Sequence, residues 1–95
     1  MVVTTDSEFL QALGKRIRAL RMEKGWSQQD LAYQMGMEKS NLSVIENGKS
    51  NPQVLTIARI ACALEVQPVQ LFAFEVNATT FMEGRVEYVP RKHKK

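Results

Sequence analysis

Few residues of this chain are of types that make or break bonds, and none is spaced for it. The one cysteine, Cys62, and the one histidine, His93, stand far apart and make no metal-binding set. Gly14-Lys15 and Gly48-Lys49 lack the other residues of a phosphate-cradling loop. No nucleophile has a neighbouring base, and the carboxylates are scattered over helix surfaces. Neither an enzyme nor a cofactor is expected. What remains is hydrogen bonding. Lys39, Ser40, Ser43 and Asn47 fall on one helical face, opposite the apolar Leu42 and Ile45. Such a face is either ordinary solvated surface or a set of donors and acceptors offered to a partner.

That face needs a frame, and the periodicity supplies one. Phe9, Leu13, Ile17 and Leu20 form a single stripe, widened by Leu10, on a first helix that Ser7 is expected to cap and Lys24-Gly25 to end. Ser27-Gln28-Gln29-Asp30 has the pattern of a capping box, with Asp30 in the acidic place. It opens a short second helix that runs to about Met35 and stops at Gly36. The third helix is expected over about 38–47, ended by Asn47-Gly48. Asn51-Pro52 is expected to start a fourth, carrying Val54, Ile57, Ala58, Ala61 and Leu64. Gln67-Pro68 starts a short fifth through Leu71 and Phe72. Cys62, on the apolar fourth helix, is assigned to the core, and Trp26 to the space under the turn. Trp26 and Tyr33 have an alternative use as stacking platforms for single-stranded nucleic acid.

The demanding part lies between Gln28 and Glu46. Leu31 and Met35 face inward, and Ala32 between them keeps the next helix close. Gly36 makes the turn, Met37 plugs it, and Leu42 and Ile45 anchor the third helix. Offsets of this kind set two short helices at roughly 90–120° and leave one face of the second free for a DNA major groove.

From Leu13 to Phe72 the sequence resembles the Cro and phage-repressor type of helix-turn-helix domain. The match is carried by SQQDLAYQMGMEKSNLSVIENGKSNP, Ser27 to Pro52. The resemblance implies an all-α, five-helix repressor-like bundle over residues 7–74, acting as a transcriptional regulator and more often a repressor. It implies that Lys39, Ser40 and Val44 sit where the family reads bases, with Ser43 beside them. Lys39 would donate to guanine and Val44 would pack on a thymine methyl. It implies phosphate contacts at Gln28 and, on the other side, at Asn47, Lys49 and Ser50. It also implies an ion pair between Arg21 and Glu46. One position departs: Glu38 stands where the family usually begins its third helix with Ser or Thr. A carboxylate suits a helix N-terminus but would lie near DNA phosphate.

Composition agrees with a small globular domain. The chain has 95 residues and 44% hydrophobic content, enough for one modest core. It has no apolar run of membrane length and no signal-peptide pattern, so the cytoplasm is expected and a membrane partner is not. The net charge of +3 is by itself weak evidence for a nucleic-acid partner, but Lys15, Arg16, Arg18, Arg21 and Lys24 crowd together, and Arg91, Lys92, Lys94 and Lys95 form a second cluster. Either is a solvated face or a phosphate contact surface.

Residues 75–95 lie beyond the resemblance. Phe81 to Val89 is rich in β-branched and aromatic residues, which suggests a strand or hairpin, followed by a disordered basic tail. A lone strand needs something to pair with. Pairing across the two-fold axis of a homodimer is the expectation, with Leu71, Phe72, Phe74, Phe81, Val86 and Tyr88 at the interface. The alternative is that the segment folds back on its own helices. The expected partners are double-stranded DNA, as an inverted-repeat operator, and a second copy of the chain. Two rival readings are an antitoxin whose partner is a toxin, and a protein-interaction module on the same fold.

Overall fold

The computed structural model describes residues 2–83. Its order is β1 (Val2–Val3), α1 (Asp6–Glu23), α2 (Gln28–Met35), α3 (Lys39–Glu46), α4 (Val54–Leu64), a 3-10 helix (Pro68–Phe72), β2 (Glu75–Val76) and α5 (Ala78–Glu83). The fold is predominantly helical, as the periodicity requires.

Helix α1 starts earlier than Ser7 implied. Its cap is Thr5, whose hydroxyl accepts from the Glu8 amide at 3.0 Å. The Glu8 carboxylate in turn accepts from the Thr4 amide at 2.7 Å and the Thr4 hydroxyl at 2.8 Å. Those bonds hold the Glu8 carboxyl below its usual range. The capping box at Ser27 and Asp30 is complete in both directions, at 3.1 and 2.8 Å. Gly36 ends α2 in the left-handed region, at φ 65°.

Helix α4 begins two residues past the expected place, with Gln53 rather than Asn51 at its cap and no side-chain cap bond. Pro52 restricts Asn51 toward extended backbone, so the dipeptide spaces α3 from α4 instead of opening α4. The short fifth helix is a 3-10 turn with Pro68 in its first positions.

Leu13, Ile17 and Leu20 of α1 pack with Leu31 and Ala32 of α2, Leu42 and Ile45 of α3, Ile60, Ala61 and Leu64 of α4, and Leu71. Trp26, Met35 and Met37 close the edge of this core. Cys62 is exposed, contrary to its assignment. Ile60, Ala61 and Leu64 take the buried stripe of α4, and position 62 turns away from it. No helix among the described residues is long and apolar enough to cross a membrane.

The expected strand over Phe81–Val89 is not found where it can be checked. Phe81, Met82 and Glu83 end α5, which Asn77 caps by accepting the Thr80 amide at 3.0 Å. Val86 and Tyr88, and the basic cluster from Arg91, lie outside the described residues. Extended structure occurs instead at β1 and β2, which pair in parallel with Val2 opposite Glu75 and Val3 opposite Val76. Phe9 of α1 gathers Phe72, Phe74 and Phe81 around it, with ring centroids 5.1–6.1 Å away. Residues 75–83 therefore fold back on their own protomer, the alternative to pairing across a dimer axis. Edge-to-face and tilted rings at these distances add about 0.5–1.5 kcal/mol per pair beyond area burial.

Candidate nucleic-acid interface

Helix α3 is held by backbone contact at its end and by one carboxylate. Gly14 of α1 lies against it so closely that an added Cβ would come within 2.3 Å of the Glu46 carbonyl oxygen and 2.7 Å of that of Ile45. Only glycine permits this approach. Just beyond the helix, Gly48 sits at φ 70°, and a Cβ there would lie 2.7 Å from the Gln11 Cα. Two glycines thus let α1 and the end of α3 touch along their main chains.

The carboxylate is that of Glu46. Arg21 Nε donates to its Oε2 at 2.8 Å and Arg21 Nη2 to its Oε1 at 3.0 Å. Both side chains are nearly buried, 9% and 2% exposed. A third nitrogen, Arg21 Nη1, donates to the Trp26 carbonyl at 2.7 Å. Gln28 Nε2 donates to Glu46 Oε1 at 3.0 Å. One carboxylate therefore ties the last turn of α1, the first residue of α2 and the last residue of α3 to a single point. No buried side-chain nitrogen or oxygen among the described residues lacks a partner.

With that anchorage, α3 turns Leu42 and Ile45 inward and its other face to solvent. Lys39, Ser40, Val44 and Asn47 are exposed, and Ser43 is half-exposed between them. Asn47 Nδ2 donates to Ser43 Oγ at 3.4 Å. Lys49 is exposed and Ser50 half-exposed just past the turn. Glu38 caps α3 by backbone geometry alone, and its exposed carboxylate makes no capping bond. Hydroxyl, amide, ammonium and one apolar side chain thus share one ridge, with no nucleophile–base arrangement among them.

Three expected placements change. The basic cluster of α1 is mostly engaged within the protomer. Arg16 Nε donates to the Gln70 carbonyl at 3.0 Å, Arg21 holds Glu46, and Lys24 pairs with Glu65 at 2.9 Å while lying over the Trp26 ring. Lys24 holds the Glu65 carboxyl below its usual range. Lys15 and Arg18 remain exposed. Leu71 is fully buried in its own core and has no surface to offer a partner. Phe74 and Phe81 face Phe9 of the same protomer. The bond from Gln28 to Glu46 has no signal in the sequence, because a glutamine that opens a helix shows nothing of a carboxylate 18 residues on. The role of Gly14 was legible in principle, since a glycine inside a helical stripe asks for a close neighbour.

A short helix packed across a second one, with an exposed polar ridge, defines the class: a helix-turn-helix domain. Residues 17–71 match the helix-turn-helix family model, more than half of the chain, and the chain belongs to that family. It is similar to the transcriptional regulator SlrR of Bacillus subtilis, 41% identical over 75 residues, covering 78% of this chain and 47% of SlrR. It is similar to a hypothetical transcription factor of Neisseria meningitidis, 37% identical over 67 residues, covering 70% of this chain and 63% of that protein. The chain thus spans about half to two-thirds of the length of these relatives. Among solved structures it resembles the restriction-modification controller protein C.AhdI of Aeromonas hydrophila, with TM-score 0.65 and 38% identity, over 66% of this chain and 96% of that one. It also resembles the controller C.Esp1396I, solved as a tetramer with its 35-base-pair operator, with TM-score 0.62 and 33% identity, over 67% and 84% of the two chains. These relatives are regulators and controllers, not enzymes.

Proposed function

We propose that this chain is a transcriptional regulator that binds double-stranded DNA sequence-specifically, as a homodimer on an inverted-repeat operator, and represses from the cytoplasm. The observation that carries the reading is the exposed ridge of α3 on a body locked through Glu46. Lys39, Ser40, Ser43 and Val44 meet base edges in the major groove, where an ammonium selects guanine and a branched apolar group selects the thymine methyl. Gln28, with the N-terminal amides of α2, meets phosphate on one side; Asn47, Lys49 and Ser50 meet it on the other. Gln28 has a second amide hydrogen left for phosphate after serving Glu46. C.Esp1396I, a structural relative, was solved on an operator, which supports the reading by analogy of fold.

Selection of bound sequences from a random duplex library tests it. The expected result is one recurring motif with inverted symmetry. Recovery of unselected sequence, at low salt as well as at physiological salt, overturns the reading.

A further inference from the structure

Glu38 stands at the head of α3 with no structural task. The helix-turn-helix unit, residues 28–46, holds three carboxylates: Asp30, Glu38 and Glu46. Asp30 closes the capping box with Ser27, and Glu46 accepts from Arg21 and Gln28. Glu38 is exposed, makes no capping bond and, among the described residues, enters no ion pair.

Its backbone, by contrast, is held on both sides. The Met37 amide donates to the Ala32 carbonyl at 3.0 Å, and the Met37 side chain packs against the core. The Glu38 carbonyl accepts from the Asn41 amide at 3.0 Å and the Leu42 amide at 3.3 Å. A fixed main chain thus presents a carboxylate directly before the exposed Lys39 and Ser40. In a helix-turn-helix the N-terminal residues of the second helix are the ones that reach base edges.

We propose that Glu38 reads cytosine in the major groove by accepting a hydrogen bond from its N4 amine. The proposal rests on the DNA-binding reading and adds to it a base choice that Lys39, Ser40, Ser43 and Val44 do not make. That choice follows from charge. A carboxylate only accepts, and the donors on the groove floor are the N4 amine of cytosine and the N6 amine of adenine. The adenine amine lies between two acceptors, its own N7 and the O4 of its thymine partner, which repel a carboxylate. The cytosine amine has one such neighbour, the guanine O6. The positive end of α3 beside Glu38 offsets part of the cost of drying its charge. Phosphate repels that charge on every duplex, so Glu38 lowers affinity generally and recovers it on cytosine.

Selection from a random duplex library by wild type, Glu38→Gln and Glu38→Ser tests the proposal. The side chain bonds nothing among the described residues, so all three proteins have the same helicity by circular dichroism. Wild type selects cytosine at one position of each half-site. Glu38→Gln moves that position to adenine, whose N6 and N7 a carboxamide meets together. Glu38→Ser loses the preference there by about tenfold, while its affinity for random duplex rises. Loss of a merely structural side chain would lower both affinities. A cytosine analogue without the 4-amino group, placed at that position, weakens wild type about tenfold more than it weakens Glu38→Ser. Wild type and Glu38→Gln selecting the same base at every position overturns the proposal, as does equal sensitivity of wild type and Glu38→Ser to the analogue. A motif indifferent to residue 38 sinks this proposal alone; a wild type that selects no motif sinks the DNA-binding reading beneath it.

Discussion

Arg21 and Glu46 lie 25 residues apart and meet in a two-pronged, nearly buried ion pair, with Gln28 as a third member on the carboxylate. An uncompensated charge in that place is costly, whereas an apolar replacement of a buried pair is often neutral. Glu46→Ala strands the guanidinium and is expected to lower stability by about 3–5 kcal/mol. Arg21→Met combined with it recovers part of that loss. Urea unfolding of the four proteins of the cycle measures the coupling, and additive losses would refute the role of the pair.

The glycines separate two effects. Gly25 is at φ 73°, and an added Cβ there would meet no atom within 4 Å, so Gly25→Ala meets only the backbone penalty of about 1–2 kcal/mol. Gly14→Ala has helical backbone but would press on the Glu46 main chain, and overpacking of this kind costs about 1–3 kcal/mol or more. Gly48→Ala carries both burdens and should be worse than Gly25→Ala. Thermal unfolding ranks them; a Gly48→Ala protein as stable as the Gly25→Ala one contradicts the close approach to Gln11.

Salt titration separates the roles proposed along α3. Lys39→Ala or Ser40→Ala is expected to lose about 1–3 kcal/mol on the selected motif and little on random duplex. Lys49→Ala weakens both kinds of binding, and its slope of log affinity against log salt falls by about one counterion. If Lys39→Ala and Ser40→Ala keep both the motif and its affinity, α3 is not the reader.

Glu8 provides a pH test at the other end of α1. Bonds from Thr4 lower its native pKa from the ordinary 4.5, so folding favours its charged form. That contribution is present above the unfolded pKa and is lost as pH falls through the native one. Glu8→Gln should therefore be less stable than wild type near neutrality, and the difference should shrink in acid. NMR titration of the Glu8 carboxyl reads the shift directly; an ordinary midpoint denies it.

The helix-turn-helix was legible because its constraints are local. Ser27 and Asp30 cap each other within one turn, Gly36 needs only its own backbone angle, and Leu42 with Ile45 fixes the buried face of α3 by spacing. Arg21 and Glu46 could be paired in advance only through the family resemblance. The structure departs from the sequence pattern where a competing local bond or a tertiary contact decides. Thr5 outcompetes Ser7 as a cap because Thr4 and Glu8 add bonds to the same turn. Phe81 reads as a strand residue by type, yet Asn77 starts a helix and Phe9 draws the ring in. The charges of Arg16 and Lys24 looked free in sequence; carbonyl and carboxylate partners 54 and 41 residues away claim them.

The pairing of Val2 with Glu75 joins positions separated by most of the domain through two residues on each side. Closing so long a loop costs entropy that a ladder this short repays poorly, so these two strands zip last and open first. Opening them leaves the lock around Glu46 shut, because no residue of β1 or β2 takes part in it. The described residues thus have a hard pole that carries α3 and a soft pole where β1 meets β2. Phe72 borders the soft pole, its ring 6.4 Å from that of Phe74 just before β2. Anything that binds only the closed form of that pole raises its stability by mass action. Faster exchange of the Asn77 amide, which donates to the Val3 carbonyl at 2.8 Å, than of the amides within α1 and α3 is the signature of that division.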